Sequence, residues 1–507
     1  MADATTAPRR RLLQVVPAAP PTLSSRLEAI RDGLAKLDED AARQRFEVPD
    51  RARLLKSTAS LCPECLAHVP AVFASLGGRV IAYKRCDKHG LSRAVIENDA
   101  RYFMLSNRDR WGRRYADLPE HRIPDYSAIP GAACCDPATG CCDDFTDQSA
   151  TKTCTVLVEV TDACNLACPV CYSDAKGDRM IPFETFRAHV LAMLDKKGSA
   201  DSVQLTGGEA TLHPRFWDMV ELLHGDARVK RVYVPTNGIT LSKDPALVER
   251  FAKYRDKLMV LLQFDGMTRE TDRAIRDATL AGVRERALKA LDRAGVAMQL
   301  TMTLARGVNL AEVGDVVGLG MDTENVRLVA LQPATYSGRY DLAPDPMNRL
   351  TLSDIATEVL RAARLRMRAD DWAPIPCSHP GCGWITLFYR RFGVHENVVK
   401  YIDLGRVMDT VAAKTVLDKG ELQSTLGTGG PGALAKAAGK VIGRAVRPRD
   451  IFSVAIKPFM DRFNYDQDRV SACCHHTMDT RGNLVSFCEY NALGRQGDGW
   501  ERFPVMG

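Results

Sequence analysis

Three cysteines, Cys164, Cys168 and Cys171, lie in TDACNLACPVCYSDA (residues 161–175) at a C-x3-C-x2-C spacing. Structural zinc sites and electron-transfer clusters recruit four protein ligands, so a compact triad of soft ligands points to a metal centre with one position open. Three cysteines can hold three irons of a cubane and leave the fourth open to chelation by a small molecule with an amine and a carboxylate. Downstream, LTGGEATLHP (205–214) supplies Gly207 and Gly208, whose backbone can approach a ligand closely, and Glu209, which can accept a hydrogen bond from a ligand ammonium. Alone, GGE reads as a turn with a solvated glutamate. At the end of the strand after a C-x3-C-x2-C loop, it reads as part of the same site.

A second metal centre is written into residues 61–90. Cys62 and Cys65 form one knuckle and Cys86 with His89 another, separated by short apolar runs that turn at Gly77-Gly78 as a hairpin would. This spacing predicts a mononuclear iron or zinc site. Its fourth ligand stays open between His89 and a distant cysteine that would complete a rubredoxin-like set. Of the other cysteines, Cys377, Cys382, Cys473, Cys474 and Cys488, with Cys134, Cys135, Cys141 and Cys142, suffice for two further four-cysteine clusters with one to spare. The C-terminal five form the better set, because CSHPGC turns sharply and CCHH to SFC can fold back as a hairpin. His379, His475 and His476 read as supporting or surface residues, and Cys154, in an apolar run, as an inert buried thiol.

The elements that must position these groups follow from periodicity. Between residues 153 and 333, β-branched or apolar runs (TCTVLVEVT, SVQLT, RVYVPT, KLMVLLQF, AMQLTMTL, VRLVALQ) alternate with amphipathic stretches. Six such βα units predict an α/β fold with a parallel, right-handed, barrel-like sheet and its chemistry at the C-terminal strand ends. The triad follows the first strand and GGE the second. The expected organisation is a tail and helix over 1–50, a rubredoxin-like or zinc-ribbon-like module with a connecting segment over 51–150, the partial barrel over 151–335, and an auxiliary cluster region over 336–507.

With 507 residues, 45% of them hydrophobic, the chain can build a large core. A net charge of +6 with interspersed signs and 7% aromatic residues leaves no nucleic-acid footprint. No apolar run reaches eighteen residues, against a spanning helix, and residues 1–22 read as a tail rather than an export signal. Sixteen cysteines without such a signal predict a cytoplasmic protein that binds metal rather than forming disulfides. Residues 425–449 begin Gly-rich and become a helix with Lys436, Lys440 and Arg444 on one face. A packed surface helix is its plainer reading, and an interfacial helix touching anionic lipid the sharper one.

Taken together, these motifs resemble the radical S-adenosylmethionine (SAM) enzymes, a likeness that covers residues 153–333. The resemblance implies a [4Fe-4S] cluster on Cys164, Cys168 and Cys171, and an open iron that takes the amino and carboxylate groups of SAM. It also implies an aromatic residue beside the loop, here Tyr172, an ammonium held by Gly207, Gly208 and Glu209, and a 5'-deoxyadenosyl radical that abstracts hydrogen from an unactivated carbon. VPTNG (234–238) offers Thr236 and Asn237 for ribose contact, and LQFDG (262–266) offers Gln263 and Asp265 for ribose or substrate.

A narrower resemblance spans nearly the whole chain. From CPECL and CDKHG through CSHPGCGW to CCHHTMDTRGNLVSFCEYN, the order is similar to the class D radical methylases and the tetraether lipid synthases. It implies one or two auxiliary [4Fe-4S] clusters, a flavodoxin- or ferredoxin-type reductant and carbon–carbon bond formation. The basic helix tilts the expectation toward tetraether-like coupling of lipid chains, with peripheral membrane contact. The alternative is methylation of a pterin or similar ring from a methylene-folate-type donor. A broad apolar tunnel would mark the first, and a compact polar pocket the second.

Overall fold

The computed structural model describes residues 23–107, 153–362 apart from 176, 365–399 apart from 366, 370, 376, 377, 392 and 393, and 448–505. Cys134, Cys135, Cys141, Cys142 and Cys377, and the basic segment 425–447, therefore lie outside the described residues.

The chain begins with helices α1 (Leu23–Ala35) and α2 (Glu39–Phe46). The carboxylate of Asp38 caps α2 by accepting the Ala41 N–H, and Glu47 in the left-handed region ends it. Strands β1 (Arg53–Leu61), β2 (His68–Leu76), β3 (Arg79–Cys86) and β4 (Gly90–Glu97) form a four-stranded antiparallel sheet in sequential order. The hairpin between β2 and β3 turns on Gly77 and Gly78, both at positive φ, as the sequence predicts. Leu34 and Phe46 pack on one sheet face against Leu54, Val72 and Tyr83, while α3 (Ala100–Asn107) covers the other through Phe103.

The expected barrel follows. Strand β5 (Thr155–Thr161) leads into the cysteine loop, which carries the two-residue strand β6 (Val170–Cys171). Then come α4 (Phe183–Lys197), β7 (Ala200–Gly207), α5 (Phe216–Gly225), β8 (Val229–Thr236), α6 (Pro245–Lys253), β9 (Leu258–Gln263), α7 (Arg269–Arg276), α8 (Ala281–Arg293), β10 (Ala297–Leu304), α9 (Val313–Asp322) and β11 (Val326–Pro333). Strands β5, β7, β8, β9, β10 and β11 pair parallel in that order. Alternation sorts their faces: in β9, Leu258, Val260 and Leu262 are buried in the main core, whereas Leu261 and Gln263 face the barrel interior.

The C-terminal region enlarges this sheet. Strand β12 (Arg339–Tyr340) pairs with β6, and α10 (Leu352–Arg361) follows. Strands β13 (Ala373–Pro374), β14 (Trp384–Arg391) and β15 (Val394–Asn397) lead on to β16 (Ile451–Ile456), which pairs parallel with β11. A short helix α11 (Gln467–Ser471) precedes β17 (His475–Met478), which pairs parallel with β5, and β18 (Leu484–Ser486) completes a hairpin with it. The six barrel strands are thus flanked on both open edges by strands from the C-terminal region. Such edges otherwise expose rows of unpaired N–H and C=O groups, which is the physical reason for the recruitment.

The N-terminal sheet is fastened to the segment between β16 and β17. Lys56, 1% exposed, donates to the Asp466 carboxylate at 2.8 and 3.0 Å and pairs with Asp468 at 2.7 Å. Ser60 donates to the Tyr465 carbonyl at 2.6 Å, and Lys84 to the carbonyls of Leu61 and Arg462. Burial alone would raise the Asp466 carboxyl, but Lys56 and the groups around it hold it below the usual carboxylate range. The stability this pair contributes is therefore complete above the ordinary carboxylate pKa near ~4 and is lost as pH falls through the depressed value. Lys56→Met is expected to cost about 3–5 kcal/mol in urea unfolding, because it leaves a buried carboxylate uncompensated. A loss below about 1 kcal/mol would contradict this fastening.

Candidate active site

The cysteine loop is held at the C-terminal mouth of the barrel mainly by main-chain contacts. Gly208 N–H donates to the Thr161 carbonyl at 2.7 Å and Glu209 N–H to the Ala163 carbonyl at 2.8 Å. Gly207 has φ +116°, and a Cβ on Gly207 or Gly208 would collide with the carbonyl oxygens of Thr161 and Ala163 respectively. The two glycines thus serve close approach of the second strand end to the cysteine loop itself. The Asn237 side chain donates to Asn165 at 2.7 Å, Arg339 Nε to the Cys168 carbonyl at 2.6 Å, and Arg276 to the Val170 carbonyl at 3.4 Å.

Cys164, Cys168 and Cys171 line one cavity of about 250 Å³ together with Tyr172, Gly207, Gly208, Glu209, Thr236, Asn237 and Gln263. Burial, then Glu209 and the two other thiols, push the Cys164 thiol up to about 11. Three thiols that line one cavity, two of them near enough to raise Cys164, with Arg276 beside Cys168, fit a cationic iron cluster that would deprotonate them. Glu209 is 2% exposed and accepts hydrogen bonds from Thr211 Oγ1 at 2.6 Å and Asn237 N–H at 3.0 Å. Burial raises its carboxyl, and no cation pairs with it among the described residues, which suits capture of a ligand ammonium.

The other expected residues divide by role. Thr236 Oγ1 accepts the Gly238 N–H and Asn237 Oδ1 the Ile239 N–H, so both shape the turn after β8. Tyr172 packs edge-on against Phe459 and Phe487. Gln263 spends its amide protons on Asp265, the Thr301 carbonyl and Thr303. Asp265 differs from expectation: it is fully buried and lies outside the cavity wall. It pairs with Arg276 at 2.7 Å and Arg284 at 2.8 Å and accepts the Thr303 N–H. Burial opposes its charge, yet the two guanidinium groups hold its carboxyl down at about 2. Arg276 is the member of this group that faces the cavity, and sequence reading missed it; the available signal was the TDRAIR stretch after the fourth strand. Sequence reading also missed Glu159, paired with Arg495 at 2.6 and 2.8 Å in the cavity wall, because 336 positions separate the two.

Two further cysteine groups form. Cys62, Cys65, Cys86 and His89 bring their ligand atoms within 4.8 Å of one another, with Cys62 Sγ to His89 Nδ1 at 3.5 Å and Cys65 Sγ to Cys86 Sγ at 3.9 Å. Tetrahedral zinc with sulfur at ~2.3 Å needs ligand separations of roughly 3.8 Å, so this set fits a single ion and includes His89. Cys382, Cys473 and Cys488 lie near enough to perturb one another, around Arg469. Burial and then Cys382 push Cys473 up to about 11, and burial with Cys473 pushes Cys488 further still. Cys474 is buried, and its carbonyl accepts the N–H groups of Cys154 and Thr155 where β17 meets β5. His475 stacks on Phe459, and His476 meets Thr153 at 2.9 Å.

Glu209→Gln is expected to weaken SAM binding to the reconstituted protein about 10- to 100-fold, the worth of one charged hydrogen bond, at unchanged iron content. Wild-type affinity in that variant would remove Glu209 from the site.

Comparison with known proteins agrees with this geometry. Residues 158–319 match the radical SAM superfamily, and residues 54–98 match the HMPTM N-terminal zinc ribbon domain. The 7,8-dihydro-6-hydroxymethylpterin dimethyltransferase of Methanocaldococcus jannaschii is 24% identical over 497 residues, covering 87% of this chain and 94% of its own. GTP 3',8-cyclase of Chlorobaculum tepidum is 30% identical over 184 residues, 35% of this chain and 53% of its own, and mycofactocin maturase of Mycobacterium tuberculosis is 31% identical over 205 residues, 39% and 50%. The thiol triad after the first strand, the Gly-Gly-Glu strand end beside it and the parallel barrel that carries both place this chain, as an enzyme, in the radical SAM superfamily.

Proposed function

We propose that the protein is a class D-type radical SAM methylase acting on a reduced pterin or similar polar heterocycle, with a methylene-folate-type carbon donor. The carrying observation is the cavity wall: each of the six barrel strands contributes a hydrogen-bonding side chain, among them Glu159, Gln204, Tyr233, Gln263, Gln299 and Gln332. A cavity of about 250 Å³ with that lining suits a small heterocycle with polar edges better than two coupled lipid chains. The Methanocaldococcus relative supports the same reading, because it matches over nearly its full length. Lipid coupling, which the basic 425–449 segment favoured, has less behind it. Among the described residues, no helix is long and apolar enough to cross a membrane.

In this reading Cys164, Cys168 and Cys171 would hold a [4Fe-4S] cluster, which would supply the one-electron reduction of SAM that releases a hydrogen-abstracting carbon radical. The chain's own residues do the rest. Glu209 binds the ammonium, and the Gly207-Gly208 backbone fixes the cysteine loop against the strand that carries it. Arg276, oriented by Asp265, offsets thiolate charge beside Cys168. Tyr172, Phe459 and Phe487 wall the side facing the C-terminal cysteines and exclude water there.

Cys382, Cys473 and Cys488 would hold an auxiliary [4Fe-4S] cluster, with Cys377 of the CSHPGC stretch a further candidate ligand by sequence, and the N-terminal site would hold zinc. A flavodoxin- or ferredoxin-type partner would deliver electrons in the cytoplasm. The test is mass spectrometry of an anaerobic reaction containing reconstituted protein, SAM, a low-potential reductant, 7,8-dihydro-6-hydroxymethylpterin and methylene-tetrahydrofolate, run beside phospholipid extracts. Expected are 5'-deoxyadenosine and a methylated pterin. Chain-coupled lipid, with no pterin product, would overturn the proposal.

A further inference from the structure

At the cavity rim, three neighbouring parallel strands present one row of polar side chains. Thr303 of β10 pairs in register with Gln332 of β11. The register of Leu331 with Ile456, and the Lys457 N–H bonded to the Leu331 carbonyl at 2.9 Å, set Lys457 beside Gln332 just past the end of β16. All three residues line the cavity, so their side chains share its face of the sheet.

Their partners set them apart. Thr303 accepts from Gln263 at 3.2 Å and from Arg276 at 3.1 Å. The other two side-chain cations of known pairing in the wall are likewise engaged, Arg276 with Asp265 and Arg495 with Glu159. Among the described residues, neither the Gln332 carboxamide nor the Lys457 ammonium has a hydrogen-bond or ionic partner, although both are half-buried. Ser337, 5% exposed and lining the same cavity, has a buried hydroxyl without a partner as well. Withdrawing an ammonium and a carboxamide part-way from water without partners is unfavourable, and a ligand oxygen and N–H would complete them.

We propose that Gln332 and Lys457 are the specificity-determining pair for the substrate ring: Lys457 donates to a ring carbonyl oxygen, and the Gln332 carboxamide pairs with the adjacent ring N–H. The ligand class is a heterocyclic lactam, such as a pyrimidinone edge, and the inference rests on the heterocycle reading above. An ammonium beside a carboxamide matches C=O next to N–H, because the carboxamide supplies the acceptor that a purely anionic group would not use. Adjacent strands lie about 4.8 Å apart, within reach of two flexible side chains that meet neighbouring atoms of one ring.

The test measures equilibrium binding of 7,8-dihydro-6-hydroxymethylpterin, and of its 2,4-diamino analogue, to the anaerobic reconstituted full chain. The analogue replaces the carbonyl acceptor with a donor that faces Lys457. Wild type is expected to prefer the oxo compound, and Lys457→Met and Gln332→Leu to weaken its binding about 10- to 100-fold each. Lys457→Met is further expected to lose the preference for oxo over diamino, and Lys457→Arg to keep it, a pattern that a merely structural role would not produce. Iron content, zinc content and circular dichroism certify folding in each variant. Wild-type binding and discrimination in both Lys457→Met and Gln332→Leu would overturn the pair while leaving the function standing. Failure of the wild type to bind either pterin would overturn the heterocycle reading and this inference with it.

Discussion

Two peptide hydrogen bonds, from Gly208 to the Thr161 carbonyl and from Glu209 to the Ala163 carbonyl, hold the thiol loop against the neighbouring strand end, and the site depends on that contact. The loop after β5 is longer than a tight turn and would otherwise have its main-chain polar groups satisfied by water and its thiols free to diverge. Only glycine fits at 207 and 208, because any Cβ there meets a carbonyl oxygen of the loop. The same contact delivers Glu209 into the cavity with the thiols. The three thiols and the Glu209 carboxylate are therefore positioned by one piece of backbone.

Around this contact the fold arranges charge and closure. Asp265, Arg276, Arg284 and Asp272 form a buried network under the mouth of the barrel. Its purpose in the geometry is orientation: Asp265 is saturated, so Arg276 is held toward the cysteine loop. On the open sides of the six-stranded barrel, β16 and β17 pair with the edge strands and bring Lys457, Phe459, His475 and Phe487 into the cavity wall. The C-terminal region thus supplies part of the cavity wall as well as the group of Cys382, Cys473 and Cys488. Its anchorage to the N-terminal sheet through Lys56 and Asp466 ties the metal ribbon to the same segment.

Much of this was legible in the sequence where the signal is local. The C-x3-C-x2-C spacing, the Gly-Gly-Glu after the next apolar run and the Gly77-Gly78 hairpin depend on neighbours a few residues apart, and the structure realises each. His89 joined the ribbon site for the same reason, being three residues from Cys86. The interior of the barrel was not legible, since its composition depends on which residue of each strand turns inward and on strands far apart in the chain. Asp265 read as a candidate for ribose or substrate from its place in LQFDG at a strand end; its partners Arg276 and Arg284 lie on later helices and draw it inward. Strands β16 and β17 carried no sign of their pairing with β11 and β5, and the lipid expectation leaned on a basic segment that says nothing about the cavity.

The most direct measurement is electron paramagnetic resonance of reduced, reconstituted Gly208→Ala, with and without SAM, alongside its zinc content. The account predicts loss of the cluster signal that changes shape when SAM is added, with zinc retained in the N-terminal ribbon, because the added methyl group displaces the cysteine loop while the distant site is untouched. A wild-type, SAM-responsive signal in that variant would contradict the claim that this backbone contact builds the site.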